Sequence, residues 1–162
     1  MIQLIAGGIG GANTMTGKWF EVRTDLKQAL TEANYDLSAF QFCKQHDFPR
    51  LFKSTTGEKM EDLFGKKFLP DEAVIYDDVL YVIEKKQQGG GGSVDEKIQT
   101  GPYKLNIYQE CAKRMGLRDA RYIYLLSEYF NVPKFTKHQI PYLANFGIDT
   151  YFDKLDLAKV FN

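Results

Sequence analysis

Apolar positions recur along this chain with two periods, one near 3.6 residues and one of two, and the switches between them predict its elements. In "GKWFEVRTDLKQALTEAN" the spacing predicts a helix that Thr14 or Thr16 would cap and that runs to about Asn34, with Trp19, Phe20, Leu26 and Leu30 as its apolar stripe. A second helix is expected from about Ser38 to His46, then a short strand "RLFKS", a turn at Thr56-Gly57 and renewed helical spacing in "EKMEDLFG". Two strands follow, Glu72 to Tyr76 and Val79 to Gln87, meeting at Asp77-Asp78. Ala73, Ile75, Leu80 and Val82 fall on one face of this hairpin, and Val74, Tyr76, Val79, Tyr81 and Ile83 on the other. Strands apolar on both faces belong inside a sheet that is covered on both sides.

After "QQGGGGS" the pattern is helical from Ser93 to about Gly116, with a break at Gly101-Pro102 and a capping-box match in Ser93 and Glu96. The glycine run reads either as a flexible loop or as a man-made linker. "ARYIYLLSEYF" reads as a strand, "TKHQIPYLANFG" as a helix disturbed by Pro141, "IDTYFD" as a strand and the last residues as a short helix. There is no internal repeat. Helix, hairpin, helix and strand in that order, with additions at both ends, predict one α/β domain over residues 1–162 built on a mixed sheet.

Composition narrows the classes. Apolar residues make up 44% and charged residues 26%, as in ordinary globular proteins, and no apolar run nears the roughly 18 residues of a membrane span. The opening "MIQLIAGGIGGA" lacks the charged n-region of a secretory signal, so the expected location is the cytoplasm, with no membrane partner. Lys plus Arg equals Asp plus Glu at 21 each, so any contact with DNA must come from a local patch. Cys43 and Cys111, with only His46 and His138 for company, fit no zinc spacing or disulfide framework and are expected as core thiols. "GGIGGANTMTGKWFE" fails as a phosphate-binding loop, because Ala12 stands where its first glycine belongs and Trp19 follows Lys18; Asn13 likewise breaks the dinucleotide pattern.

The chemistry concentrates in "LPDEAVIYDDVLYVIEKKQQ", Leu69 to Gln88. If the hairpin closes evenly at Asp77-Asp78, Tyr76 faces Val79 and Asp71 lies opposite Glu84, with Cβ atoms about 4.5 to 5.5 Å apart. Lys86 shares their face. Two carboxylates this close raise the pKa of at least one unless a cation sits between them, and a divalent metal is the simple resolution. Hard oxygen ligands suit Mg²⁺, with Mn²⁺ as a substitute, which binds through one or two protein carboxylates plus phosphate oxygens. Lys86 beside it could orient or help deprotonate an attacking water and neutralise charge growing on a phosphate. An Asp after Pro70 is also an ordinary strand start, and Glu84-Lys85-Lys86 an ordinary solvated strand end. The shared register favours a metal-dependent phosphodiester hydrolase.

"LPDEAVIYDDVLYVIEKK" resembles the Pro-Asp, then Glu-x-Lys signature of the PD-(D/E)XK nuclease superfamily. The flanks "GGANTMTGKWFE", "GSVDEKIQT" and "YLANFGIDTYF" look like those of small type II restriction endonucleases, so the resemblance runs from Gly10 to about Leu157. It implies a restriction-endonuclease-like mixed central β-sheet flanked by helices. It further implies that Asp71, Glu84 and the carbonyl of Lys85 hold Mg²⁺, that Lys86 acts on the nucleophilic water, and that Glu21 joins the site; Glu21 reads equally as a dipole-favourable residue of a helix start.

The implied activity is site-specific cleavage of double-stranded DNA leaving 5′-phosphate and 3′-hydroxyl ends, by a homodimer matched to a palindromic site. Ser93, Lys97 and Lys104 on the helix after the catalytic strand become candidate phosphate contacts, although an exposed helical face explains both lysines as well. Arg114, Arg118, Arg121, Lys134 and Lys137 are dispersed, and none is singled out. The ten tyrosines suit core packing or a dimer surface better than base stacking. Two other readings stand beside this one: a structure-specific nuclease using the same residues, and a non-catalytic DNA-binding relative.

Overall fold

The computed structural model describes residues 17–89 and 93–162; the expected caps Thr14 and Thr16, most of the opening glycine run and the centre of the later one lie outside them. A five-stranded mixed sheet in sequential order forms the middle of the fold. Its strands are β1 (Gln41–Phe42), β2 (Glu72–Tyr76), β3 (Val79–Lys86), β4 (Asp119–Leu126) and β5 (Asp149–Phe152). β1, β2 and β3 pair antiparallel, and β4 and β5 join parallel. The parallel pairs need crossovers, and helices supply them.

Helices cover both faces. On one lie α3 (Asp47–Thr56), α4 (Met60–Phe64), α6 (Gly101–Arg114) and α7 (Ile140–Ala144). There Phe48, Phe52, Met60, Tyr108, Cys111 and Leu143 bury against Ala73, Leu80, Val82, Tyr122 and Tyr124 of the strands. On the other lie the helix α1 (residues 17–23), α2 (Leu26–Glu32) and α8 (Leu157–Val160). They bury Phe20, Leu26, Leu30 and Val160 against Val74, Val79, Tyr81, Ile83 and Leu125. The two faces assigned to the hairpin from its alternation are the two faces observed. No helix among the described residues is long and apolar enough to cross a membrane.

The hairpin closes as its pattern predicts, with Tyr76 opposite Val79 and Glu72 opposite Ile83. Asp77 and Asp78 both take positive φ, 48° and 63°, the left-handed pair that a two-residue turn needs to match strand twist and that Asp tolerates. Arg118 braces this turn, its N–H donating to Asp78 O at 2.8 Å.

Several expected elements differ. The single helix to Asn34 is two, because Asp25 caps a new one by accepting from Gln28 N–H at 2.8 Å; Trp19 is 73% exposed and leaves the apolar stripe. The helix expected over Ser38 to His46 is a 3₁₀ turn (Leu37–Ala39) followed by the edge strand β1. "RLFKS" is helical, not extended. Phe48 and Phe52 are buried four residues apart, Pro49 is tolerated in the first turn, and Gly57 ends α3 at φ 76°. The region from Ser93 divides into α5 (Val94–Lys97), a 3₁₀ turn (Ile98–Thr100) and α6, with Pro102 in the first turn of α6. Ser93 forms no capping box, because its own backbone is helical (φ −65°, ψ −16°) whereas a capping residue is extended. Ahead of Pro141 the chain forms a π turn (Phe135–Gln139) closed by Ile140 N–H on Phe135 O.

Candidate active site

Sheet geometry assembles the site where β2 has ended and β3 continues. Pro70 and Asp71 precede β2, so past Ile83 the inner edge of β3 has no strand beside it. Asp71 takes over there: its Oδ2 accepts the Lys85 backbone N–H at 2.8 Å. The N–H and C=O of one strand residue point to the same side, so the Lys85 carbonyl also faces the Asp71 side. The next carbonyl, that of Lys86, points the other way and accepts from Ser127 N–H at 2.9 Å. Ser127 Oγ then takes the Gln88 N–H at 3.2 Å, which keeps β3 fastened to the chain following β4 beyond the site.

Glu84 and Lys86 alternate onto the same face as Leu80 and Val82, and Lys85 onto the other. Lys86 Nζ lies 2.7 Å from Glu84 Oε1. A second ammonium, Lys104 Nζ from α6, reaches the same oxygen at 3.0 Å. The Glu84 side chain is only 9% exposed, so these ion pairs work in a poorly hydrated setting.

The two carboxyls respond in opposite directions. Burial, and then the neighbouring Glu84 charge, lifts the Asp71 pKa above its ordinary value, against the pull of the Lys85 N–H and Lys86. Burial pushes Glu84 up as well, but Lys86 and Lys104 outweigh it and hold its carboxyl below the ordinary value. The repulsion expected of paired carboxylates thus falls on Asp71, while the lysines keep Glu84 ionised.

Tyrosines floor the site. Tyr124 pairs in register with Glu84, the Tyr122 and Tyr124 rings meet edge to face at 5.3 Å, and Tyr108 of α6 stacks on Tyr122 at 6.0 Å. Burial, then the Glu84 charge, raises the Tyr108 and Tyr122 hydroxyls well above their ordinary value, so both stay neutral.

Asp71, Glu84 and Lys86 therefore converge as the register implied. Glu21 is exposed on α1, and its charge is felt at Asp71. Lys104, considered as a phosphate contact, holds Glu84 in this structure. Ser93 and Lys97 are exposed, before and at the end of a helix only four residues long.

Three features went unread in the sequence. The Lys85 side chain forms a buried ion pair with Glu72 on the opposite face, Nζ to Oε1 at 2.9 Å, and also donates to the Glu21 carbonyl at 3.2 Å. Gln45 Nε2 lies 3.4 Å from Asp71 Oδ1, a contact with no local signal. Lys104 did carry one: it stands three residues after Gly101 and four before Tyr108, on the buried side of α6.

Among the described residues no group of three or more His, Cys, Asp and Glu side chains forms a metal cage. An ion here would rest on Asp71, Glu84 and a backbone carbonyl, the sparse oxygen set that suits Mg²⁺ and leaves room for waters and phosphate oxygens. No protein-family model matches the chain, and no curated protein or solved structure does.

Proposed function

We propose that the protein is a Mg²⁺-dependent endonuclease of the restriction-endonuclease-like class that hydrolyses phosphodiester bonds in double-stranded DNA at a specific sequence. The observation that carries the reading is the register. Asp71, Glu84 and Lys86 meet at the end of the β2–β3 hairpin, with the Lys85 backbone turned to the Asp71 side. The mixed sheet with helices on both faces agrees with the fold such an enzyme requires.

In this reading Asp71, Glu84 and the Lys85 carbonyl hold Mg²⁺, which when bound supplies Lewis acidity at the phosphate and a more acidic water. Lys86 orients the attacking water and offsets charge growing on the phosphate oxygens. Lys104 keeps Glu84 anionic. The water oxygen bonds to phosphorus, the bond to the 3′ oxygen breaks, and that oxygen takes a proton, leaving 5′-phosphate and 3′-hydroxyl ends. Each site cuts one strand, so a homodimer on a palindromic sequence completes the double-strand break.

The test is plasmid cleavage by the purified protein with Mg²⁺, beside EDTA and Asp71→Ala controls. Discrete fragments that vanish in both controls are expected. No cleavage, or cleavage that survives Asp71→Ala, overturns the reading.

A further inference from the structure

The chain as a whole is electrically neutral, yet one groove is not. It lies where α3 meets α4, has a volume of about 290 Å³, and is lined by His46, Arg50, Lys53, Lys59 and Lys67 with Glu61 as its one carboxylate. Resting on the nuclease reading above, we propose that this groove carries the sugar-phosphate backbone of the DNA as it leaves the Asp71–Glu84 site.

The first argument is which cations are available. Outside the groove, Arg114 is held by Glu58 and Glu110 and Lys134 by Asp95, Arg118 has an exposed partner in Asp77, and the exposed Arg121 and Lys137 have no ion pair among the described residues but do not line the groove. In the groove, Lys53 and Lys59 are exposed and have no carboxylate within ion-pair distance among the described residues. Arg50 and Lys67 have only solvent-exposed partners, Asp47 at 3.3 Å and Glu61 at 3.4 Å. Such exposed pairs are weak and can be traded for a polyanion, whose condensed counterions are released on binding.

The second argument is continuity with the site. Gln45, one residue before His46, donates its N–H to Pro70 O at 2.8 Å and points its Nε2 at Asp71 Oδ1, 3.4 Å away. It does so in a left-handed backbone conformation, φ 52°, which is uncommon for a residue other than Gly, Asn or Asp and persists where its surroundings impose it. This bend ties the start of α3, and with it the mouth of the groove, directly to the candidate metal ligand. In this proposal a strand with one phosphate at Asp71 runs on along α3, and its later phosphates meet the groove cations, contacts that set position without reading bases.

The experiment measures binding of the full chain to a labelled mixed-sequence duplex over a series of salt concentrations, with Ca²⁺ in place of Mg²⁺. Lys53→Gln with Lys59→Gln is expected to weaken binding about tenfold or more near physiological salt and to flatten the salt slope by about 2, roughly one unit per lost phosphate contact. Lys53→Arg with Lys59→Arg should restore both. Both side chains are exposed, so the fold survives, and a thermal melt verifies it. Unchanged affinity and slope in a protein that still cuts plasmid would overturn the groove and leave the nuclease reading standing. Lysine-dependent binding with no cleavage in Mg²⁺ would do the reverse. No duplex binding by the wild type would overturn both, and an equal loss with a polyglutamate probe would overturn the assignment to a nucleic-acid backbone.

Discussion

Lys85 and Lys86, adjacent at the end of β3, are expected to fail in opposite ways when their charge is removed. Lys85 faces inward: its side chain is 3% exposed, and that of Glu72, 2.9 Å away, is 5% exposed. Removing one partner of a buried pair costs roughly 3–5 kcal/mol, because the other charge remains without compensation. Glu72 would retain Lys44 Nζ at 3.9 Å and the Leu26 N–H at 3.4 Å, which places Lys85→Met at the lower end, about 3 kcal/mol. In a chain of this size that corresponds to about 6–12 °C in Tm. Lys86 faces the site with its side chain 20% exposed, and Glu84 keeps Lys104 at 3.0 Å, so Lys86→Met is expected to cost less, about 1.5 kcal/mol.

Cleavage should rank the two variants the other way. In the nuclease reading Lys86→Met removes a charge that acts on the transition state, and kcat is expected to fall roughly 10²–10³-fold. Lys85→Met keeps the backbone N–H that Asp71 accepts and the carbonyl beside it, so it should cut normally at any temperature where it is folded. Urea denaturation followed by circular dichroism gives the stabilities, and initial rates on plasmid well below both Tm values give the activities. Similar stability losses in the two variants, or a folded Lys85→Met that cannot cut, would refute the assignment. Pairing Glu72→Leu with Lys85→Met should recover most of the lost stability, since apolar replacement of a whole buried ion pair is often neutral or better.

Asp71→Asn should abolish cleavage and raise Tm at neutral pH: with its folded pKa above the ordinary 3.8, ionised Asp71 costs stability at neutral pH and the cost disappears as pH falls through that pKa. An unchanged or lower Tm in thermal melts would contradict this. Glu84 runs oppositely, its lowered folded pKa giving stability that is present above the ordinary 4.5 and lost as pH falls through the folded value. The stability gap between wild type and Glu84→Gln should therefore be widest at neutral pH and close in acid, and a gap independent of pH would count against the paired-lysine account. Gly101→Ala should cost about 1–3 kcal/mol by urea denaturation, because the added Cβ would lie 3.0 Å from Ile148 Cδ1 and from Tyr124 Cε2; a neutral result would mean that α6 shifts freely against the sheet. Cys43 and Cys111, whose thiols burial pushes up to about 12, should resist alkylation in the native protein at neutral pH, and rapid labelling would show that the core opens.

What was legible in the sequence is what depends on period and turn chemistry. The hairpin could be read to the residue because two Asp residues can take the left-handed turn and apolar alternation on both flanks fixes a single register. That register carried Asp71, Glu84 and Lys86 with it. The stretch from Ser38 to Thr56 was misread because local pattern loses to tertiary packing there. β1 is two residues long and owes its form to pairing with Val74 and Ile75; α3 buries Phe48 and Phe52 across a proline that reads locally as a break. The same segment supplies Gln45 and His46, Arg50 and Lys53 of the basic groove, so neither was legible. The Lys85 side chain went unread for a different reason: Glu72 is thirteen positions away in sequence, and only the folded sheet brings them together.

The charges at the site bear on how it would be loaded. Asp71 and Glu84 carry two negative charges when ionised, and Lys86 and Lys104 carry two positive ones, so the free site is close to neutral. Both ammonium groups sit on Glu84 Oε1, and a divalent cation arriving alone would meet a carboxylate already satisfied and raise the local charge by two. In the nuclease reading phosphodiesters would reverse that situation. The scissile phosphate and its neighbour would together bring two negative charges, matching the cation, and would offer Lys86 and Lys104 new acceptors that release Glu84 for the metal. In the nuclease reading, ion and DNA therefore strengthen each other's binding by the same factor, as linkage requires. On that reading the lysines on Glu84 would act as a threshold, weakening binding of the metal without substrate and favouring the complete site when the phosphate backbone lies across it.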